Sequence, residues 1–120
     1  MTTGNPPWII RLTAAAELDY QGIVRWTKAQ FGQTQAHGYA ETVSKAIEAL
    51  LDWPNVPGVR RRDDILKGLF ALHVARSGRK GRHFVMFRVA SDNDPPAIEV
   101  LRILHDSMDL PRHLAPPDSK

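Results

Sequence analysis

Two short segments of this 120-residue chain group side chains of types that are suited to chemistry. The first, residues 76–82, places four cations around two glycines. Such a turn can bind phosphate or carboxylate groups. It can equally be an exposed turn that its charges keep hydrated, and the residues alone leave the two interpretations equal.

The second segment, residues 103–109, places His105 at the end of an apolar run, next to Asp106 and near Asp109. A histidine in this position can act as a general base. More often it is a structural residue held by a neighbouring carboxylate. The structural interpretation is therefore the favoured one for His105 by itself.

The residue pattern gives little support for a metal site, a phosphate-binding loop or a Ser-His-Asp triad. No pair of histidines has the spacing of a helical zinc site, and the chain has no cysteine. There is no glycine-rich phosphate loop and no nucleophile elbow for a Ser-His-Asp triad. We expect neither a metal nor a cofactor.

Positive charge is concentrated in one part of the chain. Residues 60–88 carry nine basic residues against two acidic ones, whereas the whole chain has a net charge of only +3. This segment is expected to attract an acidic protein or a nucleic acid, although a hydrated basic loop would have the same composition.

The helices are predicted from apolar spacing and capping residues. Thr13 is a suitable N-cap for a helix that ends at Phe31, before Gly32. A second helix is expected from about Thr34 to Leu51. The buried stripes are expected to comprise Ala16, Tyr20, Ile23, Thr27 and Phe31 in the first helix and Ala36, Tyr39, Ala40, Val43, Ile47, Leu50 and Leu51 in the second.

Four segments are predicted as strands: residues 8–12, 69–75, 83–89 and 98–104. The predicted fold class is α+β. An N-terminal strand precedes an antiparallel two-helix hairpin, and a three-stranded antiparallel meander follows it. The hairpin must bury its apolar stripe against one face of the sheet, and we expect the other face to be open to a ligand or partner.

The expected organisation is one domain over residues 8–114, between a flexible arm (residues 1–7) and a polar tail (residues 115–120). A short helical turn is expected near residues 108–114. The chain shows no membrane span and no signal peptide, so we expect a cytoplasmic protein without a membrane partner.

Four motifs, in order along the chain, resemble the ParE-type toxins of the RelE/ParE superfamily. They are Arg-Leu-Thr-x-Ala-Ala-Glu-x-Asp (residues 11–19), the helix end Phe31-Gly32, Arg-Asp-Asp-Ile-Leu-x-Gly-Leu (residues 62–69), and Glu-Val-Leu-Arg-Ile-Leu-His-x-x-Met-Asp-x-x-Arg-His-Leu (residues 99–114). The resemblance spans about residues 8–114. It implies the same fold as the periodicity.

The resemblance also implies a function. Such a chain is the toxin of a type II toxin–antitoxin (plasmid stabilisation) module, which arrests growth when it is released from its antitoxin. ParE-like members inhibit DNA gyrase by binding, without acting as enzymes. The antitoxin lays a helix on the hairpin and often adds a strand to the sheet. Operator DNA is contacted only indirectly, through the antitoxin.

RelE-like members of the superfamily are instead ribosome-dependent mRNA endonucleases, and this remains the alternative. Here the sheet and tail contain no tyrosine, Phe87 stands where many relatives have one, and Phe70 replaces a frequent arginine. These departures favour gyrase inhibition. The catalytic candidates in the alternative are His83, His105, Arg82, Arg88 and Arg102.

The predicted contact residues fall into two groups. For the target they are Arg60, Arg61, Arg62, Arg76, Arg79, Lys80, Arg82, Met108 and Arg112. For the antitoxin they are Tyr20, Trp26, Tyr39, Val43, Arg76 and Arg88.

Overall fold

The computed structural model describes residues 8–92 and 95–114, apart from the side chains of residues 76 and 77. The predicted arm (residues 1–7) and tail (residues 115–120) lie outside the described residues. Strand β1 is Ile9–Leu12, helix α1 is Ala14–Phe31 and helix α2 is Gln33–Ala49. Strands β2 to β5 are Arg60–Arg61, Phe70–His73, His83–Ala90 and Ala97–His105, and helix α3 is Leu110–Leu114.

The helix hairpin begins and ends at the residues that its caps predict. The Thr13 hydroxyl accepts a hydrogen bond from the Ala16 N–H, at 3.1 Å. Gly32 ends α1 with a φ of 93°, a left-handed value that glycine adopts at little cost. Since only Gly32 separates the helices, they form an antiparallel pair.

The sheet has five strands in the order β1-β5-β4-β3-β2. Strands β3, β4 and β5 are antiparallel neighbours, which confirms the predicted meander, and β1 pairs with β5 in parallel. The two-residue strand β2 was not predicted; it extends the sheet beyond β3. The third strand ends at His73 instead of Ala75, because the chain turns there into a 3₁₀ helix, Val74–Ser77.

The α1–α2 hairpin packs on one face of the sheet, as predicted. The core between them contains Ala16, Val43, Leu50, Leu72, Val74, Val85, Phe87, Ile98, Val100 and Ile103. Two residues of the predicted stripes are exposed instead. Phe31 lies at the last turn of α1, and Leu51 lies where α2 has given way to a 3₁₀ helix, Leu50–Asp52.

The prediction that the other face of the sheet is open was wrong over much of its area. A second apolar cluster covers that face, formed by Leu69, Ala71, Met86, Leu104, Leu110 and Leu114, with Ile65 and Leu66 packed against it. Helix α3 and the 62–69 connection therefore act as a lid on this face. In the described ranges, no helix is both long enough and apolar enough to span a membrane.

Candidate functional site

A cavity of about 1110 Å³ opens on the hairpin side of the molecule, between α1, α2 and the segment that leads into β4. Four large apolar side chains at this cavity are exposed: Leu18 (68%), Trp26 (59%), Phe31 (63%) and Met108 (44%). Trp26 and Phe31 pack edge to face, with ring centroids 5.8 Å apart. We call this surface the hairpin groove. Exposed apolar side chains grouped in a concavity are typical of binding sites.

Cationic side chains line one side of the hairpin groove: Arg79, Lys80 and Arg82. Arg79 reaches α2, where it donates to Glu41 Oε1 at 3.0 Å and to Thr42 Oγ1 at 3.1 Å. Arg82 Nε lies 3.3 Å from both carboxylate oxygens of Asp106. Arg79 and Arg82 thus each pair with a carboxylate of the chain near the surface, and Lys80 is exposed beside them.

Tyr39 of α2 joins the groove to the sheet. Its hydroxyl accepts the Arg82 N–H at 3.0 Å and lies 2.7 Å from His83 Nδ1. Because the hydroxyl already accepts one hydrogen bond, it is free to donate its own proton to Nδ1, which places the proton of a neutral His83 on Nε2. A Cβ at Gly81 would collide with the Val74 side chain and lie 3.2 Å from Tyr39, so only glycine allows this close approach.

His83 is the most perturbed titratable group at the site. Burial, together with the smaller effect of the neighbouring His105, lowers its pKa from 6.5 to about 4. The two imidazole rings are nearly perpendicular, with centroids 5.1 Å apart. Burial also raises the pKa of Tyr39. Both groups are therefore neutral near pH 7.

His105 and Asp106 each have partners close by. His105 Nδ1 lies 2.7 Å from Ser107 Oγ and accepts the Ser107 N–H at 3.1 Å. Asp106 directly follows β5, and its Oδ2 lies 3.0 Å from His73 Nε2. Hydrogen bonds from His73 and Arg82 lower the pKa of Asp106. No three His, Asp or Glu side chains converge as a metal site within the part of the chain that the structure describes.

Comparison with known proteins agrees with this fold. Residues 10–110 match the model of the family described as ParE toxin of type II toxin-antitoxin system, parDE. The chain belongs to the ParE toxin family. This confirms the resemblance inferred from the sequence motifs.

Individual relatives cover nearly the whole described chain. The chain is 32% identical to Toxin ParE of Escherichia coli, over 87% of this chain and 90% of the relative. It is 29% identical to Toxin ParE1 of Caulobacter vibrioides (strain ATCC 19089 / CIP 103742 / CB 15), over 87% and 95%. A solved structure titled "Chromosomal ParDE TA system from P. aeruginosa" shares the fold, with a TM-score of 0.67 and 19% identity, over 84% of this chain and 98% of that one.

In this ParE chain, the target contacts predicted in the 60–88 segment do not all meet at one site. The groove brings together Arg79, Lys80 and Arg82 with Trp26, Tyr39 and Met108. Arg61 and Arg62, in contrast, pair with Asp63 and Asp64 next to the edge strand β2. The side chain of Arg76 lies outside the described residues.

The residues predicted to be catalytic in the mRNA endonuclease alternative do not all lie together either. His83, His105 and Arg82 lie together at the hairpin groove. Arg88 pairs with Glu99 at 2.6 Å, further along β4, and Arg102 pairs with Asp19 at 2.7 Å. Although strands β1 to β5 contain no tyrosine, Tyr39 of α2 contacts His83 and so places a tyrosine hydroxyl next to β4.

Val43 does not fit its predicted role in antitoxin binding. It is 0% exposed, because it faces the sheet from α2. Tyr20 packs against the same core, and its hydroxyl lies 3.3 Å from Ser44 Oγ, between the helices. Arg60 is exposed in β2, and Arg112 is exposed in α3.

Sequence reasoning missed several groove residues, including Leu18, Gly22 and Gly38. A signal for two of them was present. Leu18, Gly22 and Trp26 recur every four residues and so form one row on α1, next to the buried stripe. The contacts of His73 and Asp106, 33 residues apart, depend on the register of β3, β4 and β5 and have no local signal.

Proposed function

We propose that this ParE chain arrests growth by binding DNA gyrase, and that a cognate antitoxin neutralises it by occupying the hairpin groove. The observation that carries the proposal is the groove itself, with its exposed Leu18, Trp26, Phe31 and Met108 beside a row of cations. The relatives' names, as ParE toxins and a ParDE system, supply the biological setting.

The antitoxin segment that best fits the groove is an amphipathic helix with acidic residues along one flank. Its apolar face would cover the exposed side chains of α1, and its acidic flank would lie against Lys80 and its neighbours. Charge pairing of this kind raises the association rate and the specificity more than the affinity. Most of the affinity would come from the buried aromatic and aliphatic contacts.

Gyrase inhibition by binding is compatible with the chemistry of the site. The polar groups at the groove are engaged with one another: Tyr39 with His83, and Asp106 with His73 and Arg82. A binding inhibitor needs no free acid or base. The proposed gyrase contacts are the groove cations and Met108, together with Arg60, Arg61, Arg62, Arg76 and Arg112. An antitoxin seated in the groove would cover part of this surface and exclude the target.

The decisive experiment is supercoiling of relaxed plasmid by purified gyrase, with the toxin alone and with the toxin–antitoxin complex. Loss of supercoiling that the antitoxin reverses is the expected result. A Lys80→Glu/Met108→Ala variant should inhibit less, whereas Gln21→Leu, at an exposed α1 position outside the groove, should inhibit like the unmodified toxin. Undiminished supercoiling at a large molar excess of folded toxin would overturn the gyrase proposal.

One observation favours a second candidate, a ribosome-dependent mRNA endonuclease. Tyr39, His83 and His105 line the same cavity, and the Nε2–H of neutral His83 could donate a hydrogen bond to a phosphate of bound RNA. Cleavage of mRNA on translating ribosomes, lost in His83→Gln and His105→Gln, would establish this activity. Intact mRNA together with inhibited gyrase would exclude it in favour of the first proposal.

A further inference from the structure

Two glycines lie within the helices that form the hairpin groove. Gly22 is in the middle of α1 and Gly38 is in the second turn of α2, and both line the cavity. Glycine in a helix interior is less favourable than alanine, because it loses more backbone entropy on folding. Neither glycine has a positive φ that would require it.

Packing against the rest of the chain does not require these glycines either. A Cβ built at Gly22 or Gly38 would meet no heavy atom within 4 Å. Gly81 is the contrasting case, since a Cβ there would collide with Val74. Gly81 is needed for internal packing, whereas Gly22 and Gly38 leave open space on the groove side.

The neighbours of Gly22 give that space a shape. Leu18 and Trp26 lie one turn before and one turn after Gly22, and both side chains are exposed. In the row Leu18-Gly22-Trp26, two large apolar side chains thus stand on either side of an open space, or notch, at Gly22. A side chain of a second helix can pack into such a space between the side chains of the first.

The geometry points to the open spaces at Gly22 and at Gly38 as two seats for large apolar side chains, of leucine or phenylalanine size, from an acidic amphipathic helix of the antitoxin. This inference rests on the proposed function. The acidic character follows from Lys80, which is exposed at the same cavity, and from Arg79 and Arg82, whose solvent-exposed pairs with Glu41 and Asp106 are weak enough for carboxylates of the partner to compete. Because glycine has no side chain, the antitoxin helix can approach α1 and α2 closely at these positions. Leu18 and Trp26 would then flank the side chain that inserts at Gly22.

The inference makes opposite predictions for stability and for binding. Gly22→Ala and Gly38→Ala should raise the thermal midpoint of the free toxin, because alanine favours the helix and fits without a clash. The same changes should weaken the antitoxin complex several-fold. Gly22→Leu, which fills the notch, should weaken it at least tenfold. A role in internal packing alone would lower stability and leave antitoxin binding unchanged.

The test is titration of full-length toxin variants with the antitoxin encoded beside the toxin, alongside thermal unfolding of each free toxin. Gln21→Leu, which places an apolar side chain at an exposed α1 position outside the groove, is the matched control and should bind like the unmodified toxin. If Gly22→Leu and Gly38→Leu bind the antitoxin as tightly as that control, both seats are excluded while the proposed function stands. An antitoxin that fails to bind the unmodified toxin would overturn both.

Discussion

The two faces of the sheet expose apolar residues to very different degrees. On the face away from the hairpin, Met86, Leu104, Leu110 and Leu114 are all buried, because α3 covers them. On the hairpin side, the groove leaves several large apolar side chains in water. One face has been closed by the chain's own C-terminal helix, whereas the groove has no such cover among residues 8–92 and 95–114.

Because of this difference, the two faces are expected to contribute differently to folding stability and to partner binding. Covering an apolar side chain from within the chain stabilises the fold by about 25 cal/mol for each Å² removed from water. The same area left exposed contributes nothing to folding and becomes available to a partner. Residues of the closed face should therefore affect unfolding, and residues of the groove should affect association.

The largest effect on stability is expected where one ion pair connects the two regions. Asp19 of α1 accepts from Arg102 at 2.7 and 2.9 Å and from the Ile103 N–H at 2.9 Å, while Arg102 also donates to the His113 carbonyl of α3. Asp19→Ala should lower the free energy of unfolding by about 3 kcal/mol, because it leaves a partly buried guanidinium unpaired. Urea denaturation measures this change.

The exposed pair Arg88–Glu99 is the control for Asp19. Arg88→Ala removes an ion pair of similar length from a solvated position, where such pairs contribute about 1 kcal/mol or less. Equal losses of stability in the two variants would mean that the Asp19–Arg102 pair stabilises the fold no more than an exposed ion pair does.

A second pair of variants tests the comparison itself. Leu114→Ala on the closed face should cost about 2–3 kcal/mol of stability, by loss of burial and creation of a cavity, and should leave antitoxin affinity unchanged. Trp26→Ala in the groove should cost about 0.5 kcal/mol of stability and weaken the antitoxin complex roughly 30-fold or more. Urea denaturation and calorimetric titration measure the two quantities.

The opposite assignment of effects would contradict the comparison. If Trp26→Ala destabilised the free toxin as much as Leu114→Ala does, the groove would be part of the folding core. If Leu114→Ala alone weakened antitoxin binding, the partner surface would lie on the closed face.

The hydrogen bonds of Tyr39 are expected to have a smaller effect. Tyr39→Phe leaves the Arg82 N–H and His83 Nδ1 without their partner, which should cost about 1–2 kcal/mol in urea denaturation. Tyr20→Phe is the matched control on the same hairpin, where the hydroxyl makes only a 3.3 Å contact with Ser44. A Tyr39→Phe variant as stable as Tyr20→Phe would show that water replaces these bonds.

The helices and the meander could be predicted from sequence because their signals are local. Thr13 and Gly32 mark the ends of α1 by themselves, and apolar runs mark β4 and β5. The lid on the far face could not be predicted in this way. Leu110 and Leu114 belong to a five-residue helix whose partners, such as Met86, are distant in the chain.

The candidate site was predictable only in part, for the same reason. The motif resemblance identified the family, and the cations of residues 79–82 are visible in the sequence as a cluster. The meeting of Tyr39 with His83 spans 44 residues and follows from how α2 lies on the sheet. Val43 was misplaced because apolar periodicity shows that a helix has a buried face, without showing which neighbouring residues border it.

An effect as small as that of Tyr39→Phe is expected from pH, and it tests whether water reaches the inner end of the groove. The pKa of His83 is about 4 in the folded protein and 6.5 as the ordinary value. Between these pH values the unfolded chain binds a proton that the folded chain does not, so stability rises with pH through this window. Above pH 6.5 the contribution of neutral His83 is complete, and it is lost as the pH falls toward 4.

After allowance for the partial exposure of His83 to solvent, this loss should amount to about 1–2 kcal/mol. The groups that act on His83 are Tyr39, His105, Asp106, His73 and Asp19. Urea denaturation of the unmodified chain and of His83→Gln at pH 7.5 and pH 4.5 measures the difference, with His37→Gln, exposed on α2, as the control. The unmodified chain and the control should lose more stability than His83→Gln between the two pH values. Equal losses in all three would mean that water reaches His83 as freely as it reaches an exposed histidine. The inner end of the groove would then be open to water, and a partner would be bound by the groove residues of α1 and α2 alone.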